Sequence, residues 1–128
     1  MTPSESKRLA PLKGVRVLSL ALNLPGPAAM MRLHQMGATC TKLEPLAPAN
    51  ALTADPMGFY KPAAYQTLHQ GVRVVQANLK AVRGQTTMHK LLVKTDVLIT
   101  SFRPSALTKL DLDWKTLHRL YPSLCMVS

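Results

Sequence analysis

Residues 14–44 read Gly-Val-Arg-Val-Leu-Ser-Leu-Ala-Leu-Asn-Leu-Pro-Gly-Pro-Ala-Ala-Met-Met-Arg-Leu-His-Gln-Met-Gly-Ala-Thr-Cys-Thr-Lys-Leu-Glu. Val15–Leu22 is rich in apolar and β-favouring residues and stops at Pro25-Gly26-Pro27, a strong turn signal. Pro27 suits a first helical position, because its missing N–H has no intrahelical partner there and its φ is already helical. Ala28–Met36 follows as a run of good helix formers, with Met30 and Leu33 on one side. Gly37 can take the left-handed conformation that closes a helix, and Cys40–Leu43 resumes as a strand. The pattern is a βαβ unit. Its loop and helix N-terminus lie at the carboxyl end of a strand, where α/β proteins commonly meet anionic ligands.

Working outward, 128 residues suit one domain with a real core. A hydrophobic content of 47% with 17% charged residues describes a globular chain. The net charge of +10 favours an anionic partner: nucleic acid, a phosphate-bearing cofactor or an acidic surface. The basic residues are scattered from Lys13 and Lys42 to Lys80, Lys109 and Arg119, and they do not alternate with aromatic residues as a base-stacking platform would require. A nucleic-acid binder therefore rests on charge alone. No apolar run approaches the ~20 residues that cross a bilayer. Cys40 and Cys125 fall among apolar neighbours in predicted strands and read as small buried hydrophobes in a reducing cytosol, so the expected location is cytoplasmic.

Residues 1–13 look like a mobile lead-in, and residues 14–128 form the domain. The Pro- and Ala-rich stretch 45–71 has little periodicity beyond a possible short helix at Ala63–His69, which leaves a functional loop and a disordered one as equal readings. Val72–Leu79 is a third strand, Gln85–Lys94 a helix, and Asp96–Phe102 a fourth strand with the near-continuous apolar run of a buried parallel strand. Ser105–Leu110 makes a short helix, Asp113 is a plausible N-cap for Trp114–Tyr121, and Ser123–Ser128 begins a fifth strand. Strands alternating with helices predict an α/β fold, a Rossmann-like parallel sheet with helices on both faces.

The chemistry is mostly one of omission. There is no Gly-x-Gly-x-x-Gly fingerprint and no Walker loop, and the serines lack a nucleophile elbow. His34, His69, His89 and His118 have no metal-ligand spacing and read as solvated helix-surface residues, so no metal is expected. Asp96, Asp111 and Asp113 fit a strand start and helix caps, and no carboxylate pair stands out for acid–base work. On residues alone the chain reads as a basic α/β binding module.

Five pieces in order nevertheless resemble one family. They are Leu-Lys-Gly-Val-Arg-Val-Leu-Ser-Leu at 12–20, Pro-Gly-Pro at 25–27, Met-Gly-Ala-Thr-Cys-Thr-Lys-Leu-Glu-Pro at 36–45, the segment 68–80, and Asp-Val-Leu-Ile-Thr-Ser-Phe-Arg-Pro-Ser-Ala-Leu-Thr-Lys-Leu-Asp-Leu-Asp-Trp at 96–114. Together the run from Pro11 to Ser128 resembles the N-terminal part of class III CoA-transferases, the family of formyl-CoA transferase, carnitine CoA-transferase and α-methylacyl-CoA racemase. The resemblance implies binding of CoA or an acyl-CoA at the carboxyl ends of the strands, in acyl-CoA:carboxylate CoA transfer or racemisation. By position, Asn23, Leu24 and Pro25 are implied contacts before the family's Ala-Gly-Pro turn. Ala77 and Lys80 fall at the adenine and phosphate end, Ser101 and Phe102 at the Asn-Phe position, and Lys109 at the basic position beyond Phe-Arg-Pro.

The sequence departs from the family across His69-Gln70-Gly71-Val72-Arg73, where Asn-Arg-Gly-Lys-Arg is usual, at Asn78, at Ala81-Val82-Arg83 where a helix cap is usual, at Ser101, and at Asp111 in place of Gly. The family's catalytic Asp, which carries the acyl group as a mixed anhydride, matches none of the aspartates present. This portion is thus expected to be incomplete relative to the family, inactive alone, and dependent on a homo-oligomer or a complementing chain. A fold kept as a non-catalytic interaction module is the alternative.

Overall fold

A computed structural model describes residues 10–127. Five parallel strands form one sheet, β1 (Arg16–Ser19), β2 (Thr39–Glu44), β3 (Arg73–Gln76), β4 (Val97–Ile99) and β5 (Cys125–Val127), in the order β3-β2-β1-β4-β5. β1 is central: Leu18 lies in register between Thr41 and Leu98. Six helices connect the strands: α1 (Pro25–Gln35), α2 (Met57–Tyr60), α3 (Pro62–Leu68), α4 (Val82–Leu92), α5 (Pro104–Lys109) and α6 (Trp114–Leu120).

Strand alternation divides the core in two. Leu18, Leu43 and Leu98 face α4, α5 and α6 and pack with Met88, Leu92, Leu107 and Leu117. Val17, Cys40 and Ile99 face α1 and pack with Met30 and Leu33. Helices therefore cover both faces, and the α/β expectation holds.

The details differ where local chemistry overrides pattern. α1 starts at Pro25 rather than Pro27, because both prolines fall in the first turn, where no N–H needs an intrahelical acceptor. The strands are shorter than their apolar runs, and residues beyond their ends form the loops at the carboxyl edge. The 45–71 segment is ordered: it makes α2 as well as α3, and α3 lies against α1. Cys40 is buried as expected, whereas Cys125 is exposed, since β5 is an edge strand with one flank open. Asp113 caps α6, its carboxylate accepting from the Thr116 N–H at 3.3 Å. The lead-in expected over residues 1–13 falls outside the described residues for 1–9, and no described helix is long and apolar enough to cross a membrane.

Candidate functional site

All five strands point their carboxyl ends to one edge, and the direction of connection reverses between β1 and β4. Such a reversal opens a crevice between loops that leave on opposite faces. The loops after β1 and β4 flank it. After β1, Asn23 adopts a left-handed φ of 71°, a conformation Asn tolerates better than most residues. The chain then enters α1 through Leu24, its N-cap, and Pro25. A Cβ on Gly26 would lie 2.1 Å from the Ala21 Cβ, so glycine there lets the helix begin hard against the end of β1. After β4, Ser101 is exposed and Phe102 is half-buried, its N–H donating to the Thr100 hydroxyl at 3.3 Å.

Two strands across from β1, beyond β2, the loop after the edge strand β3 carries Ala77 and Lys80. The Ala77 N–H donates to the Glu44 carbonyl at 2.9 Å, and the Lys80 N–H donates to Asn78 Oδ1 at 3.0 Å. This side-chain turn shapes the approach to α4, whose N-cap Ala81 offers no side-chain bond to the first helical turn. A Cβ on Gly84 would fall 1.7 Å from the Asn78 carbonyl oxygen, so α4 packs onto the turn only because residue 84 is glycine. Gln85 Nε2 then bridges the Leu79 and Leu110 carbonyls at 2.6 and 3.2 Å, which ties the Lys80 loop to the end of α5. Asp111 takes φ 56° and turns the chain there.

A cleft of about 380 Å³ results, walled by Leu43, Leu46, Ala77, Lys80, Phe102 and Leu110. Lys80 also borders a second hollow shared with Lys109, His89 and Asp111. Of the residues singled out in the sequence, Ala77, Lys80 and Phe102 share one cleft, and Lys109 joins them through Lys80. Asn23, Leu24, Pro25 and Ser101 line neither hollow; they stand on the two loops at the strand-order reversal.

The other face of the same edge holds a cluster that sequence reading missed. Lys42, read as one more scattered cation, is fully buried, as is Asp55, and Glu44 is 1% exposed. The Lys42 ammonium bonds to Glu44 Oε2 at 3.0 Å, to Asp55 Oδ2, and to His69 Nε2 at 2.8 Å. Its three protons thus have three acceptors. His69 Nε2 being an acceptor, its Nδ1–H donates to the Tyr65 carbonyl at 2.6 Å, and burial lowers the imidazole's basicity. Glu44 also accepts from the Thr53 hydroxyl at 2.6 Å and the Tyr65 hydroxyl at 2.8 Å, and burial pushes the phenol up to about 12.

His69 is therefore neither solvated nor idle, because the folded 45–71 segment carries it inward. Glu44, Asp55 and His69 bring three ligand-type atoms within 4.8 Å of one another, but the Lys42 ammonium already bonds all three and is the cation of the cluster. The signal was present in β2: Cys40, Lys42 and Glu44 share one face of a strand whose opposite face carries Leu43.

Comparison with known proteins gives one consistent answer. The family model for CoA-transferase family III matches residues 12–128. The chain is 31% identical over 116 residues to the cinnamoyl-CoA:phenyllactate CoA-transferase of Clostridium sporogenes, covering 87% of this chain and 28% of that protein. It is 30% identical over 134 residues to the succinyl-CoA–L-malate CoA-transferase alpha subunit of Chloroflexus aurantiacus, covering 98% of this chain and 30% of that one. The crystal structure of a hypothetical protein (Rv3272) from Mycobacterium tuberculosis superposes with a TM-score of 0.79 at 28% identity, over 91% of this chain and 32% of its own. The chain thus spans about a third or less of the length of the proteins it matches.

Proposed function

The chain belongs to CoA-transferase family III, and from that premise we propose that it binds CoA or an acyl-CoA across the carboxyl edge of its sheet. The observation that carries the reading is the position of Lys80, between an apolar cleft lined by Ala77 and Phe102 and a hollow bordered by Lys109. An adenine fits against the apolar wall, while exposed ammonium groups meet phosphates as point charges. Among the described residues, no carboxylate pairs with Lys80 or Lys109, so both remain available to an anion. Asn23, Leu24, Pro25, Ser101 and Phe102 receive the uncharged arm of the ligand at the strand-order reversal.

Transfer of the acyl group needs a carboxylate nucleophile open to the thioester. Among the described residues, Glu44 and Asp55 are buried against Lys42, Asp96 binds Arg16, Asp113 caps α6, and Asp111, though exposed, borders the hollow of Lys80 and Lys109 rather than the loops at the strand-order reversal. The reading therefore assigns that carboxylate to a continuation of this chain or to a complementing chain. That the Chloroflexus aurantiacus relative is an alpha subunit supports the second arrangement.

Calorimetric titration with CoA tests the proposal. Saturable binding that is weakened by Lys80→Ala and by Lys109→Ala, with dephospho-CoA binding less tightly, is the expected result. Equal, salt-steep binding of CoA, ATP and duplex DNA would instead show a general polyanion surface.

A further inference from the structure

The loop after β1 takes its shape from two residues that lie 32 and 37 positions further along the chain. Asp55 Oδ1 accepts the Asn23 backbone N–H at 3.0 Å and the Met57 N–H at 3.0 Å. Its other oxygen is held by Lys42, so the carboxylate cannot turn away. The Tyr60 hydroxyl donates to Asn23 Oδ1. Asn23 is thus fastened twice, once through a backbone held at φ 71° and once through its side-chain amide. With Oδ1 occupied, the exposed amide has its NH₂ group left to donate.

Resting on the CoA reading, we infer that Asp55 and Tyr60 are positioning residues for Asn23, and that they present its amide NH₂ to a carbonyl oxygen of the ligand's pantetheine–thioester arm. Charge separates the ends of such a ligand. Lys80 and Lys109 border the hollows on one side of the edge, whereas Leu24 and Pro25, which follow Asn23 in the chain, carry no charge. Phosphates belong with the lysines, and the neutral amide and thioester carbonyls belong with Asn23. The 45–71 segment, which makes no strand, then acts on the ligand through Asn23.

The test compares the dissociation constants of CoA and of adenosine 3′,5′-diphosphate for the full chain carrying Tyr60→Phe, Asn23→Ala, or both. Tyr60 is 55% exposed, so its substitution leaves the core intact. Loss of one neutral hydrogen bond should weaken CoA about three- to tenfold. The diphosphate, which lacks the arm, should bind unchanged, and Tyr60→Phe should add nothing in the Asn23→Ala background. Equal weakening of both ligands, or additive effects of the two substitutions, would overturn the inference.

If the unaltered chain binds no CoA, the proposed function fails, and the fastening is read separately from the Asn23 amide signals by NMR. There, Asp55→Asn should move the backbone signal upfield and speed its exchange, and Tyr60→Phe should move the side-chain NH₂ signals. Unmoved signals would overturn the fastening itself.

Discussion

Lys42 and Lys80 stand beside the carboxyl ends of neighbouring strands, and their surroundings are opposite. Lys42 is sealed among Glu44, Asp55 and His69, with no buried side-chain nitrogen or oxygen among the described residues left unpaired. Lys80 is exposed at the mouth of an apolar cleft. A charge taken from water must find partners and so becomes part of the frame, whereas a charge left in water over an apolar wall stays free for a ligand. The sheet brings both to one edge, one on each face.

Substitution at the sealed lysine should have the largest effect. Lys42→Met strands two carboxylates in the interior and should cost about 3–5 kcal/mol, seen as a large drop in the urea midpoint. A near-unchanged midpoint would mean that the cluster is open to water. At the exposed pair the pattern should invert. Lys80→Ala with Lys109→Ala should leave stability within about 0.5 kcal/mol and weaken CoA binding roughly tenfold, read by calorimetry.

A smaller effect follows from His69, which burial holds neutral below its ordinary pKa. The unfolded chain takes up this proton near pH 6.5 and the folded chain only at lower pH, so stability is fully present above about 6.5 and declines as pH falls below it. His69→Gln, which keeps an acceptor for Lys42, should flatten that decline in melting temperature between pH 7 and 5. Least of all, Arg16→Ala should hardly move the melting temperature, because its 3.1 Å bridge to Asp96 is solvent-exposed, with side chains 51% and 43% accessible.

The open half of this comparison was largely legible in the sequence. Periodicity located the strands and α1, and motif order carried Ala77, Lys80, Phe102 and Lys109, which the fold does gather around linked hollows. The sealed half was not. Asp55 and His69 come from a proline-rich segment without periodicity, and only the folded chain brings them to Lys42. Asn23 was named from the resemblance, but its left-handed backbone and its ties to Asp55 and Tyr60 are long-range facts that no local pattern encodes. Cys125 was misjudged for a related reason: an apolar strand pattern does not reveal whether the strand lies inside the sheet or at its rim.

That rim position gives the chain a chemical address. Burial raises the Cys40 thiol to about 11, which leaves it almost wholly protonated near neutrality, while Cys125 meets solvent. A maleimide dye should therefore couple at a single point without any engineered change. Fluorescence from that point would report on assembly or on nearby ligand without touching the loops discussed above.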